Sequence, residues 1–353
     1  MFEGYEEKEE ISPIQEYYAT KRMSNSLLGL IQYPAAFKAR LDGEAPPDDE
    51  AAHLRIGSAL DCLLTSPDRW YKDFKVADAN RPYGAMGVFT NALPCGLTPS
   101  SPESDYMQAY ELAEYKLGMP TVIRRFWSND DAVYFYRNYV CADNKGKTVL
   151  GKTEYEMVIK CRDLILNSPF TKPYFQSNNL AVELLHQVPI YFEYSEIEFK
   201  SLLDGILINH DDKTILPFDL KTTGKSVFSF RESFLMWGYY RQCALYWKAL
   251  FAESSPVYHL IEDGYKILDF EFIVVEKKLF NPNPPLIYRT TALDRRMGFT
   301  GGYSDGQYYK GIDELIDTYK WHLEKNYWDL PKDVFEKNAV YPLDVFDKHV
   351  TES

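Results

Sequence analysis

Two neighbouring segments of the chain carry acidic side chains inside apolar runs. Asp204 interrupts the run SLLDGILI, and Asp219 and Lys221 flank Leu220 in ILPFDLKTT. Side chains of a strand alternate between its two faces, so Asp219 and Lys221 would share one face. A buried carboxylate is costly unless it is paired or bound to a cation. The pattern therefore predicts two carboxylates and an ammonium group gathered on two adjacent strands.

This grouping is typical of metal-assisted hydrolysis of a phosphodiester. Mg²⁺ or Mn²⁺ makes a bound water nucleophilic near neutral pH and stabilises charge on the phosphoryl oxygens. Such hard cations require oxygen ligands, which Asp204 and Asp219 would supply. Taken alone, the D-x-K triplet is common and is more often explained by an ion pair of either aspartate with Lys221 at a strand end. Gln242 and Tyr246 add to the pattern, because residues four apart on a helix share one face and can point to one site.

The elements expected to position these residues define an α/β fold, in which a central mixed sheet is flanked by helices. Alternating apolar residues predict strands, and apolar residues three or four apart predict helices. The order α, then β-β-β-α-β, with the first three strands as a meander, suits a sheet between layers of helices. The predicted elements in chain order are strands at 188–194, 198–208 and 214–220, a helix at 231–250, strands at 269–275 and 286–289, and a helix at 311–325.

The part of the chain before these strands begins with predicted helices. Ser24 or Ser26 can cap a helix that Pro34 interrupts, and a second amphipathic helix is expected at 51–64. From about 81 to 131 the sequence contains many turn residues and shows no stable periodicity. We therefore predict a loop-rich insertion or lid in that region.

Composition restricts the classes of protein that the chain can belong to. It has 39 basic and 52 acidic side chains and a formal net charge of −13, so any DNA contact must be local. The five cysteines are widely spaced and form no C-x-x-C pair, which predicts neither a disulfide framework nor a zinc ribbon. The acidic start MFEGYEEKEE and the lack of a long apolar run favour a soluble protein of a reducing cytoplasm, without a membrane partner.

Six blocks of the sequence resemble, in order and spacing, the RecE-type exonucleases (exodeoxyribonuclease VIII family) of the PD-(D/E)XK nuclease superfamily. The blocks are RMSNSLLGLIQYPAAFKARL, RIGSALDCLLTSPDRWYKDFKV, LLDGILI, FDLKTT, YYRQCALYWKAL and FIVVEKKLFNPNPPLIYR. They resemble the family's serine-capped helix, its G-x-A-x-H-x-x-L helix, its D-G, D-x-K-T-T and Q-x-x-x-Y motifs, and its late strand. The match covers most of the chain and implies a restriction-endonuclease-like core with an N-terminal helical extension.

The resemblance implies a role for each matching residue. Asp204 and Asp219 would bind metal, and the Leu220 carbonyl would add a ligand. Lys221 would orient the attacking water. The residues implied to contact DNA or to order the site are Gln242 and Tyr246.

The resemblance also implies ligands outside these motifs. A further acid is expected upstream of the first aspartate, for which Glu183 is preferred and Glu193 is the alternative. Asp61 stands where the family usually has the histidine of its G-x-A-x-H helix. An aspartate can still bind Mg²⁺ or Mn²⁺ through oxygen but cannot offer an imidazole. The alternative for Asp61 is a structural ion pair with Arg55 or Arg69.

For function, the resemblance implies a Mg²⁺- or Mn²⁺-dependent exonuclease that degrades linear double-stranded DNA in phage or prophage recombination, in a bacterial or phage-infected cytoplasm. A single-strand annealing protein and a homo-oligomer are compatible with it. No iron–sulfur cluster is expected, because the five cysteines lack the required grouping. The chain would divide into N-terminal helices that complete the site (1–80), a loop-rich insertion (81–150), the nuclease core (151–330) and a C-terminal tail (331–353).

A basic stretch next to the predicted site would contact DNA. It contains Lys225, Arg231 and Arg241, interleaved with aromatic residues such as Phe228 and Trp237. Such interleaving suits a surface that binds a backbone and stacks bases. Aromatic residues on a helix more often belong to the core, and we favour that interpretation for Trp237.

Two other classes of protein stay open. The segment 146–153 matches the G-x-x-x-x-G-K-[ST] pattern of phosphate-binding loops in ATPases. However, the charged ADNK separates it from the preceding apolar segment, whereas such a loop follows its strand directly. The second alternative is a catalytically inactive nuclease fold that serves only to bind DNA.

Overall fold

The computed structural model describes residues 13–44, 52–144 and 146–340. Its centre is a mixed sheet, and two small two-stranded pairs lie outside that sheet. The strands are β1 (Phe74–Val76), β2 (Thr148–Leu150), β3 (Val182–Tyr194), β4 (Ile197–Asn209), β5 (Thr214–Thr223), β6 (Lys266–Ile267), β7 (Glu271–Glu276), β8 (Leu286–Arg289), β9 (Gly302–Ser304) and β10 (Gln307–Tyr309).

The central sheet has the strand order β3-β4-β5-β7-β8, with the short β6 beside β5. β3, β4 and β5 form an antiparallel meander, β7 runs parallel to β5, and β8 is antiparallel to β7. Ser195 and Glu196, with φ angles of 50° and 64°, form the tight turn from β3 to β4. The predicted meander and the two predicted later strands are therefore confirmed.

Helices cover both faces of this sheet. On one face, Leu28, Phe37, Leu245 and Leu315 pack in a single core with apolar side chains of β3 and β4. On the other face, helices from two parts of the chain pack against β5 and β7. The α-helices are α1 (Pro13–Ala19), α2 (Asn25–Gly29), α3 (Pro34–Asp42), α4 (Ala52–Thr65), α5 (Trp70–Asp73), α6 (Gly84–Ala92), α7 (Met107–Leu112), α8 (Met119–Trp127), α9 (Asp130–Phe135), α10 (Lys152–Asn167), α11 (Phe230–Met236), α12 (Tyr239–Ala249), α13 (Tyr258–Glu262), α14 (Ala292–Thr300), α15 (Ile312–Lys325) and α16 (Lys332–Glu336).

The N-terminal helices begin as the sequence predicts. Ser24 Oγ accepts a hydrogen bond from Leu27 N at 3.2 Å and caps α2. Pro34 lies in the first turn of α3, where its missing N–H costs no helical hydrogen bond, so it separates α3 from the helix before it. The helix predicted at 51–64 is α4, which packs with α10 behind the sheet.

The single long helix predicted at 231–250 is wrong, because two helices, α11 and α12, occupy this segment. Gly238 separates them with a φ of 68°, a left-handed conformation that other residues rarely adopt. A Cβ atom at this position would also collide with the guanidinium group of Arg241. The apolar periodicity continues across the glycine, and for that reason it does not reveal the break.

The loop-rich insertion predicted over 81–150 is wrong in its local structure. Helices α6 to α9 lie in this part of the chain and pack round the buried rings of Phe89, Tyr106, Phe126 and Tyr136. None of these helices exceeds nine residues, which is too short for apolar periodicity to stand out. The division of the chain into domains stays a prediction.

A disulfide joins Cys95 to Cys141 within the same helical part, with their Cα atoms 5.3 Å apart. The expectation that the cysteines form no disulfide framework is therefore wrong for this pair. The two residues are 46 positions apart and give no local sequence pattern, because only the packing of the short helices brings them together. Cys62, Cys161 and Cys243 are buried free thiols.

No helix in the described ranges is long and apolar enough to cross a membrane. The acidic start of the chain lies outside the described residues, as do residues 341–353 of the predicted C-terminal tail. The described part of that tail contains α16.

Candidate active site

A cleft of about 1270 Å³ lies over β4 and β5, and residues of α1, α4 and α12 also line it. The structure thus brings together residues that are far apart in the sequence. The predicted site residues that line the cleft are Asp61, Asp204, Asp219, Leu220, Lys221, Gln242 and Tyr246.

Asp219 is the centre of a short chain of polar contacts. It is 2% exposed, and Gln242 Nε2 donates a hydrogen bond to Asp219 Oδ1 at 2.7 Å. Lys221 Nζ lies 2.5 Å from Asp219 Oδ2, in an ion pair that lacks hydrogen-bond geometry. The alternation of side chains along β5 places these two charges side by side. Gln242 therefore positions Asp219 from the neighbouring helix.

Asp204 lies on β4, beside Asp219 of β5. The backbone pairing of the two strands ends at Gly205 and Phe218. Just beyond that point, Asp204 Oδ2 accepts a hydrogen bond from Leu220 N at 2.7 Å. The carboxylate thus takes the place of a backbone acceptor, which fixes its position. Gly205 is needed next to it, because a Cβ atom there would collide with the Phe218 ring.

Asp61 reaches the same cleft from α4. Its Oδ1 atom is buried and has no hydrogen-bond partner. The structural alternative for this residue is not supported, because Arg55 pairs with Glu154 and Arg69 pairs with Asp73. Asp61 is therefore a carboxyl group of the cleft.

Mutual repulsion acts among the aspartates of the cleft. Burial, and then the Asp219 carboxylate, raise the pKa of Asp61 to about 7. Burial, Asp219 and Asp61, in that order, raise the pKa of Asp204 well above its ordinary value. Burial lowers the pKa of Lys221, but the negative groups around it, Asp219 foremost, outweigh burial and raise that pKa to about 12. One protonated lysine thus faces three carboxyl groups. Its single positive charge is too small to balance all three carboxylates when they are ionised.

These residues fit a divalent metal ion. Two buried oxygens, Asp61 Oδ1 and Asp219 Oδ2, have no hydrogen-bond partner, and oxygen is the ligand that Mg²⁺ and Mn²⁺ prefer. A cation would also reduce the repulsion among the aspartates. Within the described ranges, no three His, Cys, Asp or Glu side chains already converge as a ligand set. Mg²⁺ requires only one or two carboxylates, since water and substrate phosphates complete its shell.

Gln187 is a residue of the cleft that the sequence analysis missed. It lines the cleft from β3, at the position of the strand that faces Asp204. Its φ of 50° is rare for a residue other than glycine, and the interaction of its side chain with Asp61 lowers the pKa of that carboxyl group. Strained residues of this kind cluster at functional sites, which makes Gln187 a candidate positioning residue. No sequence pattern distinguishes it from other polar residues of an apolar strand.

The structure does not bring the predicted upstream acid to this cleft. Glu183 Oε2 lies 3.1 Å from His210 Nε2, away from the aspartates. Glu193 lies opposite Glu198 in the backbone register of β3 and β4, near the turn between them. It does not line the cleft either. Gln187 occupies the place on β3 where such an acid would face the aspartates.

The predicted DNA contacts lie apart from the aspartates. Lys225 is exposed and pairs with Glu232 at 3.1 Å. Arg231 and Arg241 line a second, smaller cleft. Trp237, which we interpret from the sequence as a core residue, is 63% exposed, so that interpretation is wrong.

The segment 146–153 is not a phosphate-binding loop. Its middle forms β2, which pairs in parallel with β1. The amide groups that would cradle a phosphate already have partners, because Gly151 N donates to Glu154 Oε2 and Lys152 N donates to the Ala79 carbonyl. The ATPase interpretation based on this motif is therefore wrong.

The cleft is locally basic although the chain is acidic. Seven basic and five acidic residues line it, whereas the whole chain has a net charge of −13. A local excess of positive charge attracts polyanions to the aspartates. The basic residues are Lys21, Arg22, Arg40, Lys200, Lys221, Lys277 and Lys320, and the acidic ones are Asp61, Glu196, Glu198, Asp204 and Asp219.

No protein family model matches this chain, and no curated protein matches it. Among solved structures, it is similar to a crystal structure from Eubacterium rectale described as a "Putative exonuclease". The two share 13% sequence identity and a TM-score of 0.43, over 95% of this chain and 90% of that chain. A similarity at this level is too low for an inference, so the proposals below rest on the residues and geometry of this chain.

Proposed function

We propose that the chain is a metal-dependent deoxyribonuclease with a PD-(D/E)XK core, and that it acts as an exonuclease on linear double-stranded DNA. The observation that carries the proposal is the group of Asp61, Asp204, Asp219 and Lys221 in one cleft. Three carboxyl groups crowded beside one ammonium group are costly for folding, and a bound cation offsets that cost. The D-G and D-x-K motifs on the two strands support the same assignment.

Asp204 and Asp219 would hold the metal ion, with Asp61 and the Leu220 carbonyl as further ligands. When bound, the ion supplies a water of lowered pKa and stabilises charge on the phosphoryl oxygens. Lys221 keeps its proton at neutral pH, because its pKa is about 12. It therefore acts as a hydrogen-bond donor that orients the attacking water, and it does not act as a base.

Neighbouring groups hold the carboxylates in place. Gln242 holds Asp219 Oδ1, and the Leu220 amide holds Asp204 Oδ2. Asp204 Oδ1 would then face the cation, and Asp219 Oδ2 would be shared between the cation and Lys221. Tyr246 lines the cleft four residues after Gln242. Burial raises the pKa of its hydroxyl well above the ordinary value. The hydroxyl is thus a neutral donor, suited to a phosphate of the substrate.

The basic lining of the cleft supports a polyanionic substrate. Its volume of about 1270 Å³ exceeds the range of about 300–1000 Å³ that is usual for small-molecule pockets. Both properties favour a nucleic acid strand. The finer parts of the proposal rest on the order of the sequence motifs, which resembles that of the RecE-type exonucleases. They are action from a linear DNA end and a role in phage or prophage recombination in the cytoplasm. A single-strand annealing partner and a homo-oligomer belong to the same proposal.

The test is digestion of end-labelled linear duplex DNA and covalently closed circular duplex DNA, each with Mg²⁺, Mn²⁺ or EDTA. Asp219→Asn keeps the shape of the side chain and its acceptor for Gln242 but removes the charge. Lys221→Ala removes the ammonium group. We expect each variant to be slower by about a hundredfold or more, as for loss of a group that stabilises transition-state charge. Asp163→Asn, at an exposed position of α10, is the matched control.

Degradation of the linear form alone, abolished by EDTA and by both cleft variants but not by the control, is the expected result. Cleavage of the circular form would make the protein an endonuclease. No cleavage by the folded protein with either metal would contradict the proposal. The inactive DNA-binding nuclease fold would then be the better interpretation.

A further inference from the structure

A second cleft, of about 870 Å³, lies on another side of α12. Residues of α11, the beginning of α12 and the β9–β10 hairpin line it. None of the three aspartates of the first cleft is part of its lining. The proposed catalytic group therefore does not explain this second cleft.

Arg241 lines the second cleft although it is only 9% exposed. Its Nη1 atom donates hydrogen bonds to the Tyr240 hydroxyl and, at 3.0 Å, to the Lys310 carbonyl. Its Nε atom has no partner. Burial lowers the pKa of Arg241, and the neighbour that raises it again is Tyr240 and not a carboxylate. The guanidinium group is thus a buried cation without a counter-charge among the described residues.

A buried cation without a counter-charge is costly, and an anionic ligand would remove that cost. The planar guanidinium fork matches the oxygens of a phosphate better than any other side chain. Gly238 has no side chain, and the guanidinium group of Arg241 occupies the space that a Cβ atom at position 238 would fill. The break between α11 and α12 therefore also makes room for a phosphate-binding group.

Exposed aromatic rings lie around this arginine. Phe228 lines the cleft and is 67% exposed. Trp237 lies outside the lining but directly follows Met236, which is part of it, and is 63% exposed. On the β9–β10 hairpin, the ring of Tyr308 lies 5.0 Å from the exposed ring of Tyr303. Aromatic rings beside basic groups bind unpaired bases, because every base has a face that can stack. In a duplex those faces are covered by neighbouring base pairs.

Three other charged residues of the second cleft, Arg231, Glu232 and Asp305, form weak surface pairs. Arg231 lies 3.9 Å from Asp305, and Glu232 lies 3.1 Å from Lys225. All four side chains are more than half exposed, so these pairs contribute little and exchange readily with a phosphate. The acidic residues are therefore no barrier to an anionic strand.

We propose that the second cleft binds single-stranded DNA, with a backbone phosphate on Arg241 and bases stacked on Phe228 and Trp237. The inference rests on the proposed nuclease function and adds that the substrate carries an unpaired strand beside the one that is cut. α12 connects the two sites, because Gln242 contacts Asp219 and the preceding residue, Arg241, lines the second cleft. A strand held there stays close to the cleaved strand without entering the acid cluster.

The test measures binding of fluorescein-labelled oligothymidylate to the full chain by fluorescence anisotropy in EDTA, where cleavage does not occur. Trp237→Ala and Phe228→Ala remove exposed rings, and each should weaken binding about fivefold or more. Tyr71→Ala is the matched control, because Tyr71 is 82% exposed on α5 and does not line the second cleft. Its affinity for the oligonucleotide should equal that of the wild type.

The basic residues are tested in the same assay. Arg241→Gln should weaken binding and reduce the slope of affinity against salt by about one phosphate contact. Because Arg241 is buried, thermal unfolding must show that this variant is folded, and Arg231→Ala at an exposed position serves as a second basic variant. Unchanged affinity in all four of these variants would overturn the inference.

A blunt-ended duplex probe tests the single-strand assignment. Equal affinity for the duplex, with equal sensitivity to Trp237→Ala, would overturn it. Asp163→Asn should bind oligothymidylate as the wild type does, because Asp163 lines neither cleft. Failure of the nuclease proposal would appear differently, as oligothymidylate binding without digestion of DNA in Mn²⁺, and that result would leave the second cleft supported.

Discussion

Glu276 is a buried carboxylate at the end of β7 that holds the segment leading to the second cleft. It is 0% exposed and accepts hydrogen bonds from Val227 N at 2.9 Å, Asn283 N at 3.1 Å and Asn283 Nδ2 at 2.7 Å. Lys278 Nζ lies 2.9 Å from Glu276 Oε2. The perturbation is Glu276→Gln, which preserves size but removes the charge and places a donor among donors.

The magnitude follows from the pKa of Glu276. Burial raises that pKa, but hydrogen bonds from Asn283, Lys278 and Val227 outweigh burial and lower it from 4.5 to about 2. At about 1.4 kcal/mol for each pKa unit, the carboxylate stabilises the fold by about 3 kcal/mol at neutral pH. Lys278 is 40% exposed, so solvent screens its share. We therefore expect Glu276→Gln to lower the free energy of unfolding by about 2 kcal/mol.

Because the pKa is lower in the folded state than in the unfolded state, this stability is complete above about pH 4.5 and is lost as the pH falls through about 2. Guanidinium denaturation should thus separate the variant from the wild type near neutral pH, and the separation should shrink in acid. Glu253→Gln, at an exposed position, is the control. A difference below about 0.5 kcal/mol at neutral pH, or one that does not change with pH, would refute the reasoning.

Three further substitutions test other parts of the structure. Gln187→Gly should relieve a left-handed φ, stabilise the chain by about 1 kcal/mol in thermal unfolding, and yet slow DNA digestion because Asp61 loses the interaction with the Gln187 side chain. Gly238→Ala should destabilise the chain by about 2 kcal/mol in denaturation, because φ is 68° and the new Cβ atom would displace Arg241. Cys95→Ser should lower stability by about 2–4 kcal/mol, and dithiothreitol should lower the unfolding temperature of the wild type but not of this variant.

For each of these three substitutions, one outcome would contradict the expectation. Full digestion activity in Gln187→Gly would mean that this residue does not position Asp61. Wild-type stability in Gly238→Ala would mean that the helix break does not require glycine. An unfolding temperature that dithiothreitol leaves unchanged in the wild type would mean that the disulfide adds no stability to the short helices.

The sheet could be predicted because its strands carry strong local signals. The apolar runs around Asp204 and Asp219 are long and are separated by a short polar turn. The acid cluster was predictable for the same reason, since an aspartate inside such a run is conspicuous. Asp61 was identified through the motif of its helix, and the structure places it in the same cleft.

The features that the sequence did not reveal depend on contacts between distant residues. The helices between 84 and 135 are short, and their core of aromatic rings forms only when they pack together. The pairing of Cys95 with Cys141 depends on the same packing. Gln187 was missed because its role comes from an unusual φ and from its position across from Asp204, and neither property has a sequence signature.

The acid cluster joins α4 to β4 and β5, although the helices α5 to α10 lie between them in the chain. Closing so long a loop costs entropy, so this contact forms later than the local β3–β4 hairpin. During synthesis, Asp61 leaves the ribosome well before Asp219 and Gln242 exist. If the cluster cleaves DNA as proposed, a nascent chain that has not yet reached Asp219 lacks part of the cluster and does not cut the genome of the cell that makes it.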